Sequence, residues 1–392
     1  MPLDGEAVRL VCRGANVIEG RQFCRAELER FRKLAAGGEP IVVACTQESP
    51  LFNEVAGEIA GGAELTFVNI RETAGWSKDA SSAGPKMAAL IAAAAAPTPD
   101  VAFVPLNSDG VTLIYGKDER AIEAANLLKE HLDLTVLIKQ PADVAPRRVT
   151  DFPVVKGSIR QAKGYLGAFE LTVDDYAAPA PSSRGALSFG TARNGAVSRC
   201  DIVIDLSGGA PLFPSADLRD GYLRADPGDP AAVLRAVLKA RDLIGTFDKP
   251  RYITFTGDLC AHSRSKIVGC RRCLDLCPTG AISPNGDHVA IDAQICAGCG
   301  QCAAACPTGA AAYALPPSDA LLRKLRALLG AYREAGGKQA VVIFHDAEHG
   351  AELIDALARH GDGLPANVLP VQVNEVTQVG LEAVAASFAY GV

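Results

Sequence analysis

Eight of the twelve cysteines fall between positions 260 and 306. Cys296, Cys299, Cys302 and Cys306 follow the spacing C-x2-C-x2-C-x3-C, and Pro307 comes next. Cys260, Cys270, Cys273 and Cys277 repeat this run with a first gap of nine residues, and Pro278 closes it. Thiolates at this spacing are ligands for iron–sulfur clusters, the fourth cysteine of each run crossing to the other cluster. Three cysteines two residues apart on one tight loop reach three corners of a cube. The fourth, three residues on, faces a second cube. The following proline removes a backbone donor that would otherwise need a partner. The pattern assigns cluster I to Cys260, Cys270, Cys273 and Cys306, and cluster II to Cys296, Cys299, Cys302 and Cys277, both of the [4Fe-4S] type. Paired zinc knuckles also use C-x2-C, but they need no crossover ligand and do not account for two x3-Cys-Pro endings. Without Cys260 the first site would hold three thiolates, which suits a three-iron cluster or a non-cysteine fourth ligand.

The elements that must position these ligands are legible nearby. Ala281-Ile282-Ser283 and His288-Val289-Ala290-Ile291 alternate like strands around Pro284-Asn285-Gly286-Asp287. An Asn-Gly pair between such runs signals a hairpin. Both halves repeat Cys-Pro-Thr-Gly-Ala, at 277–281 and 306–310, as a duplicated unit should. Residues 251–316 therefore read as a ferredoxin-like βαββαβ dicluster domain. The long loop after Cys260 carries His262, Ser263, Arg264, Ser265 and Lys266. The loops of the second run are apolar. Hydrogen bonds to sulfur and nearby charge set cluster potentials, so the sequence predicts unequal midpoints with cluster I the higher.

Composition narrows the surroundings. A chain of 392 residues with 48% hydrophobic content is long enough for two to four domains. A net charge of −6 offers no basic footprint for nucleic acid. The first six residues have neither the basic start nor the apolar run of a signal peptide. The most apolar stretch, residues 87–96, is too short to span a bilayer. Cysteines used as cluster thiolates imply a reducing compartment, and hence a cytoplasmic protein without a membrane partner.

Strands alternate with helices along the rest of the chain. A helix is expected over 22–35, a strand at Ile41-Val42-Val43-Ala44-Cys45, a helix over 49–59 and a strand at Leu65-Thr66-Phe67-Val68. Further strands are expected at 111–116, 135–138 and 201–206, with helices over 118–131 and 230–244. Residues 177–187, rich in Pro, Ala and Ser, read as a linker. Ser207-Gly208-Gly209 reads as a tight turn, with anion binding through its N–H groups as the alternative. Beyond the cysteines, a helix over 318–334, a strand at 340–344, a helix to His360, a strand at 368–371 and a helix from about 374 form another layer. The expectation is an α/β multidomain protein, with parallel α/β (Rossmann-like) layers flanking the dicluster domain. Its segments would be 1–80, 81–176, 188–250, 251–316 and 318–392. The chain stops where a further strand is expected, so the last layer reads as truncated or as completed by a partner. His345, Asp346, Glu348 and His349 stand where strand passes into helix. Acidic residues there suit a helix start better than a metal site.

Cys45-Thr46-Gln47-Glu48-Ser49-Pro50-Leu51-Phe52, followed by Phe67-Val68-Asn69-Ile70-Arg71-Glu72 and Trp76, resembles the N-terminal region of the heterodisulfide reductase A-type family. The resemblance spans about residues 8–80, and the ferredoxin insert recurs in that family of flavin and iron–sulfur proteins. It implies redox partners of the formate dehydrogenase or hydrogenase kind. Two departures matter. A cysteine that the family carries before the tryptophan is Ala74 here, leaving Cys12, Cys24 and Cys45 without an obvious fourth thiolate for a further cluster. Where a flavin-binding unit would carry G-x-G-x-x-G, this chain has Gly116-Lys117-Asp118-Glu119-Arg120-Ala121. Carboxylates at that helix start repel a dinucleotide, so neither FAD nor NAD is expected. The leading expectation is an electron-transfer protein relaying single electrons between a soluble dehydrogenase and a second redox partner. The alternatives are a reductase acting on a thiol or disulfide near Cys12, Cys24 and Cys45, and an assembly module with structural clusters.

Overall fold

The computed structural model describes residues 3–141, 144–264 and 267–392, and the expected loop donors Ser265 and Lys266 lie outside them. The chain forms two compact units, one of residues 102–298 and one of residues 1–101 with 299–392.

The 102–298 unit is built on a seven-stranded sheet. Its order is Tyr222–Arg224, Ile202–Leu206, Val111–Gly116, Asp133–Ile138, Val154–Lys163, Phe169–Ala177 and Ala196–Cys200. The first five strands run parallel, and the last two pairings in the order are antiparallel. The central strands are near-continuous apolar runs because both faces are covered. One face packs Ile114, Val136, Ile202 and Ile204 against the helices Arg120–Leu128 and Pro230–Arg241. The other gathers Leu113, Leu137, Val203, Phe169 and Phe213. Asp229 caps the second helix, accepting the N–H groups of Ala231 and Ala232, and Pro230 occupies its first turn.

Strands expected in separate segments, 81–176 and 188–250, thus share one sheet. The expected linker at 177–187 is instead part of a hairpin connection. Bridges Tyr176–Arg193 and Pro179–Phe189 carry the chain from one antiparallel strand back to the next. Proline and serine serve a wide turn as well as a linker, and composition does not separate the two uses.

In the other unit both ends of the chain contribute to one core. Helices Gly84–Ala94 and Ser318–Glu334 bring Met87, Leu90, Leu325, Leu328 and Leu329 together with Leu369 and Val371. Val341–His345 and Val368–Gln372 form a parallel pair in this unit. A second, smaller core sets Phe31, Phe52 and Val55 beside the parallel pair Ile41–Val43 and Leu65–Phe67. The helix expected over 22–35 is confined to Leu28–Ala35. Its expected first part is a turn in which the Glu27 carboxylate accepts the N–H groups of Arg21 and Gln22. The final helix starts at Leu381, not near 374, because Glu375 and Gln378 close a capping box around a separate 3-10 turn. Among the described residues no helix is long and apolar enough to cross a membrane.

Candidate iron–sulfur centre

In chain order the cysteine-bearing segment runs strand Ile253–Phe255, helix Arg272–Leu276, strands Ile282–Asn285 and His288–Ile291, helix Gln301–Ala304 and strand Ala311–Tyr313. A further short hairpin, Ser263–Arg264 with Ile267–Val268, is inserted before the first helix. Cys260, Cys270, Cys273, Cys277 and Cys296 belong to the 102–298 unit, and Cys299, Cys302 and Cys306 to the other.

The inserted hairpin accounts for the long first gap. Ser263 pairs with Val268 and Arg264 with Ile267. Below them the Gly269 N–H donates to the His262 carbonyl at 2.8 Å and the Cys270 N–H to the Ala261 carbonyl at 2.9 Å. The extra residues are looped out, and Cys260 returns to the neighbourhood of Cys270 across the hairpin base. The buried His262 ring points the same way, its Nδ1 lying 2.9 Å from the Cys270 carbonyl. Cys273 lies on the short helix Arg272–Leu276, and Cys277 ends it in an extended conformation.

The repeated Cys-Pro-Thr-Gly-Ala segments adopt matching local geometry, each within its own unit. Cys277 Sγ lies 3.7 Å from Thr279 Oγ1, and Cys306 Sγ lies 3.7 Å from Thr308 Oγ1. Gly280 and Gly309 both take positive φ, +68° and +69°, a conformation that favours glycine. The Ala311 N–H also donates to Cys306 Sγ at 3.5 Å. Burial raises the Cys306 thiol, but bonds from the Ala311, Thr308 and Ala310 backbone and from the Thr308 hydroxyl outweigh it and lower its pKa. Donors converging on a sulfur are what a ligating thiolate requires.

In the unit that contains Cys299 and Cys302, that loop is held from beneath. Thr377 Oγ1 donates to the Cys299 carbonyl. Gly300 has φ +76°, and a Cβ there would stand 2.5 Å from Gln378 Cβ. Only glycine fits on both counts. Cys302 is buried on the helix Gln301–Ala304.

Two further residues, with no signal in the sequence, bear on the site. Arg219 is buried, and its guanidinium donates to the Thr279 carbonyl at 2.6 Å and the Gly164 carbonyl at 3.0 Å while stacking on Phe213 at 4.8 Å. Its Nε is buried without a hydrogen-bond partner among the described residues. Burial lowers the Arg219 pKa, opposed by Asp292, Asp220 and Cys277. Lys249, also buried, donates to the Gln294 carbonyl at 2.8 Å and to Asp220 at 2.7 Å. The donor set thus fits an anionic cluster: cysteines at ligand spacing, donors on sulfur, and an uncommitted buried guanidinium N–H beside the Cys277 segment. No local pattern marks Arg219 and Lys249, since their partners lie 60 and 45 residues away in sequence.

The other candidates make local contacts of their own. Cys24 and Cys45 pack against the Phe31–Phe52 core, and burial raises the Cys12 thiol. Asp118 pairs with Arg120 at 2.6 Å and caps the Arg120 N–H, while Gly116 lies against Ala121, where a Cβ would stand 2.3 Å from the Ala121 Cβ. Ser207 Oγ accepts the Gly209 N–H at 3.2 Å, so that turn engages a donor of its own. Asp346 accepts the N–H groups of His349 and Gly350, and these bonds hold its carboxyl below the usual range. Among the described residues no group of three or more His, Cys, Asp or Glu is gathered around a single-ion site.

Residues 268–310 match the family model of the 4Fe-4S dicluster domain. The matched segment contains seven of the eight clustered cysteines, with Cys260 lying just before it. A comparison with curated proteins finds no match to the chain. The chain therefore carries a 4Fe-4S dicluster domain, a module that binds iron–sulfur clusters and serves electron transfer.

Proposed function

We propose that this protein is an electron-transfer component, relaying single electrons between a soluble dehydrogenase and a second redox partner. In this reading Cys260, Cys270, Cys273 and Cys306 hold cluster I, and Cys296, Cys299, Cys302 and Cys277 hold cluster II. When bound, the clusters supply one-electron acceptors with tunable potentials. The chain's own residues orient the thiolates, supply donors to sulfur and limit water around Cys302. The observation that carries the reading is the duplicated Cys-Pro-Thr-Gly-Ala geometry, with a threonine hydroxyl 3.7 Å from the last sulfur of each run. The hairpin base beside Cys270 supports Cys260 as the remaining ligand. The resemblance to the heterodisulfide reductase A-type family favours a donor of the formate dehydrogenase or hydrogenase kind in a reducing, cytoplasmic setting. The packing of Cys24 and Cys45 in an apolar core favours electron relay over thiol chemistry in that region.

Anaerobic determination of iron and acid-labile sulfide, followed by EPR during stepwise reduction, tests this reading. Two cubanes require about eight irons and eight sulfides per chain, with interacting signals in the reduced protein. About twelve irons would instead support a third cluster and the reductase reading. Zinc without sulfide would overturn the assignment.

A further inference from the structure

Two chain segments of the 102–298 unit carry cluster II ligands, and each is held by a buried cation from outside the cysteine run. Arg219 binds the carbonyl of Thr279, two residues after Cys277. Lys249 binds the carbonyl of Gln294, two residues before Cys296. Between them, Asp292 donates its N–H to the Ala281 carbonyl and accepts the N–H groups of Gln294 and Ile295. The Cys296 N–H returns to the Asp292 carbonyl at 3.0 Å. Asp292 and then Asp220 contribute to the electrostatics at Arg219, and Asp220 also links to Lys249. Asp220 is about half exposed, with 48% of its side chain accessible, so it is screened by water far better than either cation.

The cluster I side differs. Arg264, on the inserted hairpin, is exposed. An exposed charge acts through high dielectric and is screened by salt, whereas a buried one acts at short range with little screening. A buried cation favours whichever redox form carries more negative charge, which is the reduced one. The charges visible in sequence point to cluster I as the higher-potential centre, whereas burial weights the charges on the other side.

Resting on the dicluster reading above, we propose that Arg219 and Lys249 form a buried cationic clamp on the Cys277 and Cys296 segments, making cluster II the higher-potential centre. Both act as positioning residues and as fixed charges. With that order of potentials, the Cys277 and Cys296 segments would hold the centre that is reduced first.

The test is an EPR-monitored potentiometric titration of the full chain, run beside iron and sulfide analysis. The variants are Arg219→Gln, Arg219→Lys, Lys249→Met and Arg264→Gln. Arg219→Gln lowers the higher of the two midpoints, by on the order of tenfold in the reduction equilibrium, about 59 mV for one electron. Arg219→Lys keeps most of the charge and stays near the wild type. Lys249→Met shifts the same midpoint downward, and Arg264→Gln moves neither. Unchanged midpoints in Arg219→Gln and Lys249→Met, with iron content intact, overturn the clamp while leaving the dicluster reading standing. A shift confined to the lower midpoint overturns it equally. If Arg219→Gln loses its cluster, Lys249→Met decides by the same criterion. Wild-type protein without cubane signals overturns both readings.

Discussion

Glu72 shows how much a single buried side chain organises. It is 3% exposed and accepts hydrogen bonds from Arg71 Nε at 2.9 Å and Arg359 Nη2 at 2.7 Å. Both guanidinium groups lie over the ring of Trp76, at 4.5 and 5.2 Å. Burial alone would raise the Glu72 carboxyl, but the Arg71 hydrogen bond and the charges of Arg71 and Arg359 hold it below its ordinary value. A carboxylate depressed in the folded state contributes stability above its unfolded pKa and loses it as pH falls through the folded one. Stability of the unit containing Trp76 should therefore decline on the acid side, and Glu72→Gln should flatten that decline. Because both arginines are partly exposed and can turn to water, Glu72→Gln should cost only about 1–2 kcal/mol at neutral pH. Trp76 is the only tryptophan, so its fluorescence during urea unfolding reads this unit selectively. Equal acid-side slopes in wild type and variant would remove the argument. At the site, Cys260→Ser should lower the iron count by about one per chain, converting a four-iron centre to a three-iron one. An unchanged count with unchanged EPR would exclude Cys260 as a ligand.

At the scale of elements, short segments hold the clustered cysteines and their supports come from elsewhere. The Cys299 loop rests on the 3-10 turn Val376–Gln378, with Gly300 fitted against Gln378. Gly300→Ala combines a left-handed backbone penalty of about 1–2 kcal/mol with a collision against Gln378. It should lower both the unfolding temperature and the retained iron, whereas Gly330→Ala, in an open helical position, should leave iron unchanged. Helix Ser318–Glu334 is anchored by Leu325, which is fully buried among Met87, Leu328 and Leu369. Leu325→Ala should cost about 2–5 kcal/mol by denaturant unfolding. A loss below about 1 kcal/mol would mean that this helix is not the centre of its core. Much of this scale was legible in sequence. The strand Val111–Gly116, the helix Ser318–Glu334 and the hairpin around Asn285-Gly286 fall where periodicity and turn chemistry put them. The strands Val154–Lys163, Phe169–Ala177 and Ala196–Cys200 escaped, because their mixed exposed and buried positions resemble loop sequence.

For the whole molecule, cluster binding and folding should be coupled, since thiolates gathered without metal repel one another and expose their loops. Removing iron with a chelator under oxidising conditions should lower the unfolding temperature, and anaerobic reconstitution with iron and sulfide should restore it. An unchanged transition would separate cluster binding from stability. The cysteine run, its two Cys-Pro endings and the matching Thr-Gly-Ala segments were determined by sequence alone, because cluster ligation depends on spacing within a few residues. Most strand and helix positions were determined in the same way, by local periodicity. Tertiary structure decided the rest. It joined the first and last hundred or so residues into one unit and turned an apparent linker into a hairpin. It also folded the nine-residue gap so that Cys260 returns beside Cys270. Above all it set Arg219 and Lys249 on the carbonyls of Thr279 and Gln294, two residues from Cys277 and Cys296, while leaving Arg264 in water. A sequence lists charges without their burial, and burial decides which charges act at full strength.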